Sequence, residues 1–311
     1  MSLPPISLRD LEYVVAIGEL GSFSAAAERC AVSQPSLSAQ VRKIEEWGGE
    51  KLFERTTRRV LVTDAGRRFI DQAKRVMAEA RQLVTTMQSA ARPFGGTLRL
   101  SAIATLGPYF FPKMLGRLKA RYPDLAVVLG EGVTEDLILR LRDGMLDVVL
   151  LSAPLVDNGL ETVPIFREPF LVAGPEADQD GHAEQIWHAL PANRRLLLEE
   201  GHCLRHQALA MCSDVGRQDR YGTSLETLKY MVAAGEGYTL VPMLAANMFE
   251  GVGYLAPSSD VFSRVILLAW RKSDGRAEQF LALADVLRTF VRDRLPQVDA
   301  HDGALGTRAA G

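Results

Sequence analysis

The stretch SFSAAAERCAVSQPSLSAQVRKIEEWGG, residues 22–49, decides how the first part of this chain folds. Ser22 or Ser24 is suited to cap a helix, and the alanines that run on to Cys30 are small enough for close helix contact. Residues 31–33 read as a turn. Ser33 or Gln34 then precedes Pro35, which fits a first helical turn because its missing N–H has no intrahelical partner to lose. A second helix follows to about Trp47. Two short helices joined by a tight turn describe a helix-turn-helix, although an ordinary helical hairpin has the same spacing.

In a helix-turn-helix the second helix enters the major groove and shows its N-terminal side chains to base edges. Those are here Ser33, Gln34, Pro35, Ser36, Ser38 and Gln40. Gln pairs with adenine through two hydrogen bonds, Ser discriminates little, and Arg42 and Lys43 farther along suit phosphates. Upstream, Leu8, Leu11, Tyr13, Val14 and Ile17 keep a helical period until residues 18–21 interrupt it. Downstream, KLFERTTRRVLVTDAGRRF, residues 51–69, reads as a strand, a basic turn, a second strand and a new helix. That is a wing, with Arg55, Arg58 and Arg59 suited to phosphate or minor-groove contact. From residue 64 to about 91, Phe69, Ala73, Val76, Ala80, Leu83 and Met87 recur at spacings of three or four, the pattern of one long amphipathic helix. Such a helix needs a partner, and a dimer axis matches a palindromic DNA site.

At 311 residues and 47% hydrophobic content the chain is long enough for about two or three folded units. It has no apolar run of membrane-spanning length, and MSLPPISLRDLEY lacks the basic-then-apolar order of a secretory signal, so a soluble cytoplasmic protein with no membrane partner is expected. Cys30, Cys203 and Cys212 are too few and too irregularly spaced for a disulfide framework or a zinc site, and no metal or cofactor is expected. Residues 1–92 hold 14 Lys and Arg against 11 Asp and Glu, and the remainder 22 against 27. The excess of positive charge on the DNA-reading side is small, and a solvated surface accounts for it equally well.

Beyond Pro93 the pattern becomes strand (98–103), helix (111–122), strand (126–130), helix (137–143), strand (148–151), which predicts a mainly parallel sheet covered by helices. Further strands are read near 170–173, 196–198, 238–241 and 265–270, then a helix over 277–294. The tail 297–311 is read as disordered.

Chemistry concentrates in LLLEEGHCLRHQALAMC, residues 196–212, where a strand runs into Gly201 and a helix opens at His202 and Cys203. The thiolate is the reactive form of cysteine and is favoured by a helix N-terminus, an Arg or an imidazolium; Arg205 and His202 are the candidates for the last two. A buried, inert cysteine is the plainer alternative, and it is the reading kept for Cys30. Cys212 lies nine positions after Cys203, about 13 Å along an unbroken helix. A disulfide needs Cα atoms within about 7 Å, so joining them requires the segment to rearrange.

The motifs FSAAAERCAVSQPSLSAQVRKIE, LFERTTRRVLVT and AG, in that order from Leu8 to about Gly66, resemble the LysR-type transcription regulators. One departure is Trp47-Gly48, where the family more usually has Leu-Gly. Within that family, GHCLR at 201–205 with Cys212 beyond it, TSLETLKYMVAAGEGYTLVP at 223–242 and IATLGPY at 103–109 resemble the OxyR peroxide sensors. The resemblance implies an α/β protein: a winged helix-turn-helix over 1–63, a dimerising linker helix over 64–92, and a regulatory domain over 93–296. That domain would comprise two Rossmann-like subdomains similar to periplasmic binding proteins, one over about 93–165 and 270–296, the other over about 166–269.

It further implies that Cys203 is oxidised by hydrogen peroxide and resolved by Cys212, in a pocket formed by Thr105, Thr134, His202, Arg205 and Arg271. Operator DNA, RNA polymerase and further copies of the chain, as dimer or tetramer, are the partners it implies. His206 stands where the nearest relatives usually have Asp. A LysR regulator of a small organic anion would use the same cleft, with Thr105, Ser152 and Ser224 as ligands and inert cysteines. A thiol peroxidase would have no use for the winged reader.

Overall fold

The computed structural model describes residues 5–55, 60–89, 96–155, 157–176, 182–211 and 221–300. Arg58, Arg59 and Cys212 lie outside them, and the chain divides into two compact units, Met1–Gln88 with Arg142–Met145 and Ser89–Leu141 with Leu146–Gly311.

In the first unit, helix α1 (Leu8–Leu20) starts in a capping box, with Ser7 Oγ accepting from the Asp10 amide and the Asp10 carboxylate accepting from the Ser7 amide, and ends at Gly21 with φ 60°. Ser22, rather than Ser24, caps α2 (Phe23–Arg29), and Ser33 caps α3 (Gln34–Gly48) by accepting from the Ser36 amide. Leu37, Val41 and Ile44 of α3 join Val14, Ile17, Ala26 and Ala27 in one core, so the helix-turn-helix is packed rather than merely adjacent. The wing strands β1 (Phe53–Arg55) and β2 (Val60–Val62) pair antiparallel, and α4 (Asp64–Ser89) follows. Buried Glu45 joins α3 to the wing: its Oε1 accepts from the Leu52 and Phe53 amides at 2.9 and 3.3 Å, and its Oε2 from Lys51 Nζ at 2.9 Å. Gly66 lets α4 approach, since a Cβ there would stand 2.1 Å from the Leu52 carbonyl oxygen.

The second unit begins with β3 (Gly96–Ile103), α5 (Gly107–Arg121), β4 (Leu125–Gly132), α6 (Thr134–Arg142) and β5 (Val148–Ser152). β3 lies between β5 and β4 and is parallel to both. Next come β6 (Leu160–Pro175), α7 (Ala183–Ala189), β7 (Leu197–Leu198), α8 (Cys203–Ala210), β8 (Tyr221–Gly222) and α9 (Leu225–Ala233). β9 (Thr239–Pro242), β10 (Val252–Leu255), β11 (Ser263–Arg271), α10 (Ala277–Arg294) and β12 (Asp299–Ala300) complete it. The 16 residues of β6 serve two groups of strands: its first part pairs with β11, and its second with β9 and β10. Two hydrophobic cores correspond to the two ends of β6, and Tyr109 packs against both.

Three expectations need correction. The main sheet is parallel only among β3, β4 and β5; every pairing made by β6 and β11 is antiparallel, because these strands cross between the halves instead of following a βαβ helix. Helix α5 starts at Gly107 rather than residue 111, since Pro108 sits in its first turn, where no amide donor is needed. Residues 297–300 are ordered into the fold: Val298 is buried, and Asp299 and Ala300 pair with Arg167 and Phe166 of β6.

Replacing Glu45 by Leu leaves the Leu52 and Phe53 amides buried without their acceptor, at about 1–3 kcal/mol for an unsatisfied group. Urea unfolding of the full chain, followed through the first unit, should show a loss of about 2 kcal/mol or more. A change below about 0.5 kcal/mol would show that Glu45 does not hold the wing.

Candidate functional site

Thr105, Thr134 and Ser152 come from separate parts of the sequence and converge because each lies at or just beyond the carboxyl end of a parallel strand: β3, β4 and β5 respectively. The amide of Ala104 donates to the Gly132 carbonyl at 3.0 Å, binding the first two ends together. Crevices at such strand ends are where open α/β sheets hold ligands. Helix α8 lies across this edge. Gly201, at φ 88°, faces Val133 beside Thr134, where an added Cβ would meet the Val133 side chain at 3.5 Å. Gln207 Nε2 donates to Ser152 Oγ at 2.7 Å. Cys203, the first residue of α8, packs against the core that β3, β4 and β5 share.

The polar atoms at this edge are unevenly satisfied. Thr105 is buried and receives two bonds from Arg264, NH1 to its Oγ1 at 2.7 Å and NH2 to its carbonyl at 3.0 Å. Thr134 Oγ1 and Gln207 Oε1 are buried with no hydrogen-bond partner among the described residues. A buried acceptor without a partner is costly, so a small polar guest is favoured here. Gln207 was missed in the sequence, yet it stands four positions after Cys203 and thus on the same helical face.

Of the three influences offered for Cys203, the helix N-terminus is in place. Arg205 is engaged elsewhere, donating to the Leu198 carbonyl at 3.0 Å and stacking over Tyr221 at 4.8 Å. His202 makes no side-chain capping bond, and burial pushes its imidazole below the ordinary value, with Glu199 opposing, so the ring is neutral at pH 7 and not an imidazolium. His206 is exposed. Arg271 does not belong to this edge: it is buried against the Leu141 and Leu146 carbonyls and Asp274. It lies seven residues, about 23 Å, along β11 from Arg264, toward the amino ends of the parallel strands, because β11 runs antiparallel to β5. Arg264 is the arginine of the site, and its only trace in the sequence is a lone charge at the start of an apolar strand. Ser224 caps α9 through the Thr227 amide.

Residues 8–67 match the family described as "Bacterial regulatory helix-turn-helix protein, lysR family", and residues 91–292 match "LysR substrate binding domain". The DNA-binding transcriptional dual regulator OxyR of Escherichia coli strain K12 is 39% identical over 290 residues, covering 91% of this chain and 95% of that one. The chain belongs to the LysR family. Similar solved structures include a full-length cysteine-to-aspartate variant of OxyR from Pseudomonas aeruginosa, with TM-score 0.75, 30% identity and coverage of 97% and 100%. A cysteine-to-serine variant of Corynebacterium glutamicum OxyR with hydrogen peroxide bound has TM-score 0.57, 31% identity and coverage of 94% and 96%. This LysR protein is thus a DNA-binding transcription regulator closely related to the OxyR peroxide sensors, and not an enzyme. Among the described residues no helix is long and apolar enough to cross a membrane.

In the family's DNA reader, α3 exposes Gln34, Pro35, Ser36, Arg42 and Lys43, with Gln40 half-buried. Ser38 is a correction, because it is buried on the core face with Leu37 and Val41. Ser33 is occupied as the helix cap, and Gln34 Oε1 accepts from Ser24 Oγ at 3.2 Å. Cys30 is buried, which raises its thiol pKa and fits an inert role.

The depressed pKa of His202 sets a pH dependence. Below the ordinary imidazole range the unfolded chain takes up a proton that the folded ring resists, so this stability is present above about pH 6.5 and is lost on acidification. Between pH 7 and 5 the urea midpoint of His202→Gln should fall less than that of wild type. Parallel slopes would contradict the assignment.

Proposed function

We propose that this regulator senses hydrogen peroxide by reversible oxidation of Cys203 and controls oxidative-stress genes accordingly. The observation that carries the reading is the strand-end site: a cysteine opening the helix whose Gln207 bonds to Ser152 at the same edge as Thr105, a threonine hydroxyl gripped by Arg264, with two buried polar atoms that have no partner among the described residues. Peroxide is small, neutral and both donor and acceptor, which suits such a set. The Cys203 thiolate attacks one peroxide oxygen, an S–O bond forms as the O–O bond breaks, and the hydroxide released takes a proton to leave as water. The sulfur is oxidised by two electrons to a sulfenic acid. The Cys212 thiol then attacks that sulfur, giving a disulfide and a second water. Because α8 keeps Cys203 at one end of an eight-residue helix and Cys212 follows the other end, bonding them requires α8 to yield. That rearrangement is the signal.

The name of one relative, "Hydrogen peroxide-inducible genes activator" from Haemophilus influenzae, 37% identical over 297 residues, supports the same reading. On DNA, the exposed end of α3 reads the major groove and the wing, with Arg55, Arg58 and Arg59, follows the backbone of a cytoplasmic operator. Two copies pair through α4, whose Val76 and Leu83 are exposed, as a homodimer or within a homotetramer, and RNA polymerase is the downstream partner.

Thiol titration with operator footprinting before and after a brief peroxide pulse tests the sensor. Wild type should lose free thiol and change its footprint, Cys203→Ser should do neither, and Cys212→Ser should stop at the sulfenic acid. Identical footprints for wild type and Cys203→Ser under both conditions would sink the proposal. Separately, Gln34→Ala should cost about 1–3 kcal/mol of discrimination between operator and random DNA. An unchanged affinity ratio removes Gln34 from base reading.

A further inference from the structure

Glu168 on β6 and Arg264 on β11 face each other across the antiparallel pair and are both fully buried. Glu168 Oε2 accepts from Arg264 Nε at 2.8 Å and from NH2 at 2.7 Å. Its other oxygen, Oε1, accepts from the Leu244 amide at 2.9 Å. Leu244 belongs to a 3-10 turn, Met243–Ala245, that gives Leu244 to one core and Ala245 to the other. One carboxylate therefore fastens the arginine to the place where the two halves of the domain meet.

We infer that Glu168 is a positioning residue for the chemistry at Cys203: by holding and neutralising Arg264, it compels the Thr105 hydroxyl to act as a hydrogen-bond donor into the strand-end site. A guanidinium is a rigid fork of donors with no acceptor. With one edge held by Glu168, the remaining donors meet Thr105 at Oγ1 and at its carbonyl. Thr105 Oγ1 must accept from Arg264, so its own proton is left for another acceptor. The buried ion pair has no net charge, so the site receives an oriented hydroxyl dipole and not a free cation. In peroxide reduction the departing oxygen gains negative charge as the O–O bond breaks, and a preset donor at that oxygen lowers the barrier. No other acidic side chain contacts Arg264 among the described residues.

This inference rests on the peroxide-sensing reading, and the test separates the two. In the full-length protein carrying Cys212→Ser, the second-order loss of the Cys203 thiol is measured with hydrogen peroxide and, at the same pH, with iodoacetamide. Alkylation needs the thiolate but has no oxygen leaving group for Thr105 to stabilise. Glu168→Gln should slow the peroxide reaction by about tenfold or more while alkylation stays within about twofold, and Thr105→Val should show the same selective loss. Removing one member of a buried ion pair strongly destabilises a fold, whereas replacing both with apolar residues is often tolerated. If Glu168→Gln does not fold, the double variant Glu168→Leu with Arg264→Met decides by the same two rates. A folded variant whose peroxide rate is unchanged, or whose two rates fall together, overturns the role of Glu168. If the parent protein reacts with peroxide no faster than free cysteine, the sensing reading itself fails and the inference falls with it.

Discussion

The site in the regulatory unit depends on the parallel run of β3, β4 and β5, whose carboxyl ends share one edge. Backbone hydrogen bonding sets those ends side by side, and the segment from Gly201 to Gln207 meets Val133 beyond the end of β4 and Ser152 at the end of β5. With Gly201 against the residue that follows one outer strand and Gln207 bonded at the end of the other, α8 is held at this edge, and Cys203 lies between the two contacts in the sequence. Gly201 is needed at its end of the span because its φ of 88° is one that side-chain-bearing residues rarely adopt.

The same geometry explains how charge is handled. Arg264 enters the interior at the start of β11 only because Glu168 lies opposite it, and its remaining donors are spent on Thr105. Arg271, at the far end of that strand, is compensated by two carbonyls and Asp274. Both arginines are thus paid for locally, and they serve different places. At the junction of the halves a second buried charge, Lys229, donates to Glu226 and Asn247, and Glu226 also accepts from Tyr109, the residue that packs against both cores. The halves are therefore joined by directional bonds that resist independent drift, as well as by apolar contact.

In the DNA-binding unit the division of labour runs around α3. One face carries Leu37, Ser38, Val41, Ile44 and Glu45 into the core and onto the wing, and the other leaves Ser36 and Lys43 free for a partner. Because Glu45 binds the wing amides directly, the position of the wing is tied to the same helix that would read the groove.

Local patterns in the sequence were sufficient for the winged helix-turn-helix, the long α4, the strand–helix alternation and the helix opening at Cys203, because capping residues, helical periodicity and turn residues act over a few positions. Ser38 was misassigned because a one-residue step on a helix moves a side chain by 100° or so, and only packing against α1 and α2 shows which serines face inward. Arg271 was named and Arg264 was not, because both flank one apolar strand and the direction of β11 relative to β5 decides which end reaches Thr105. The sequence by itself determined that a cysteine would start a helix in a chain that opens with a winged helix-turn-helix. Only the tertiary structure decided which distant groups share the edge that α8 touches, because strand order and direction bring Thr105, Thr134, Ser152 and Arg264 there from positions far apart in the chain.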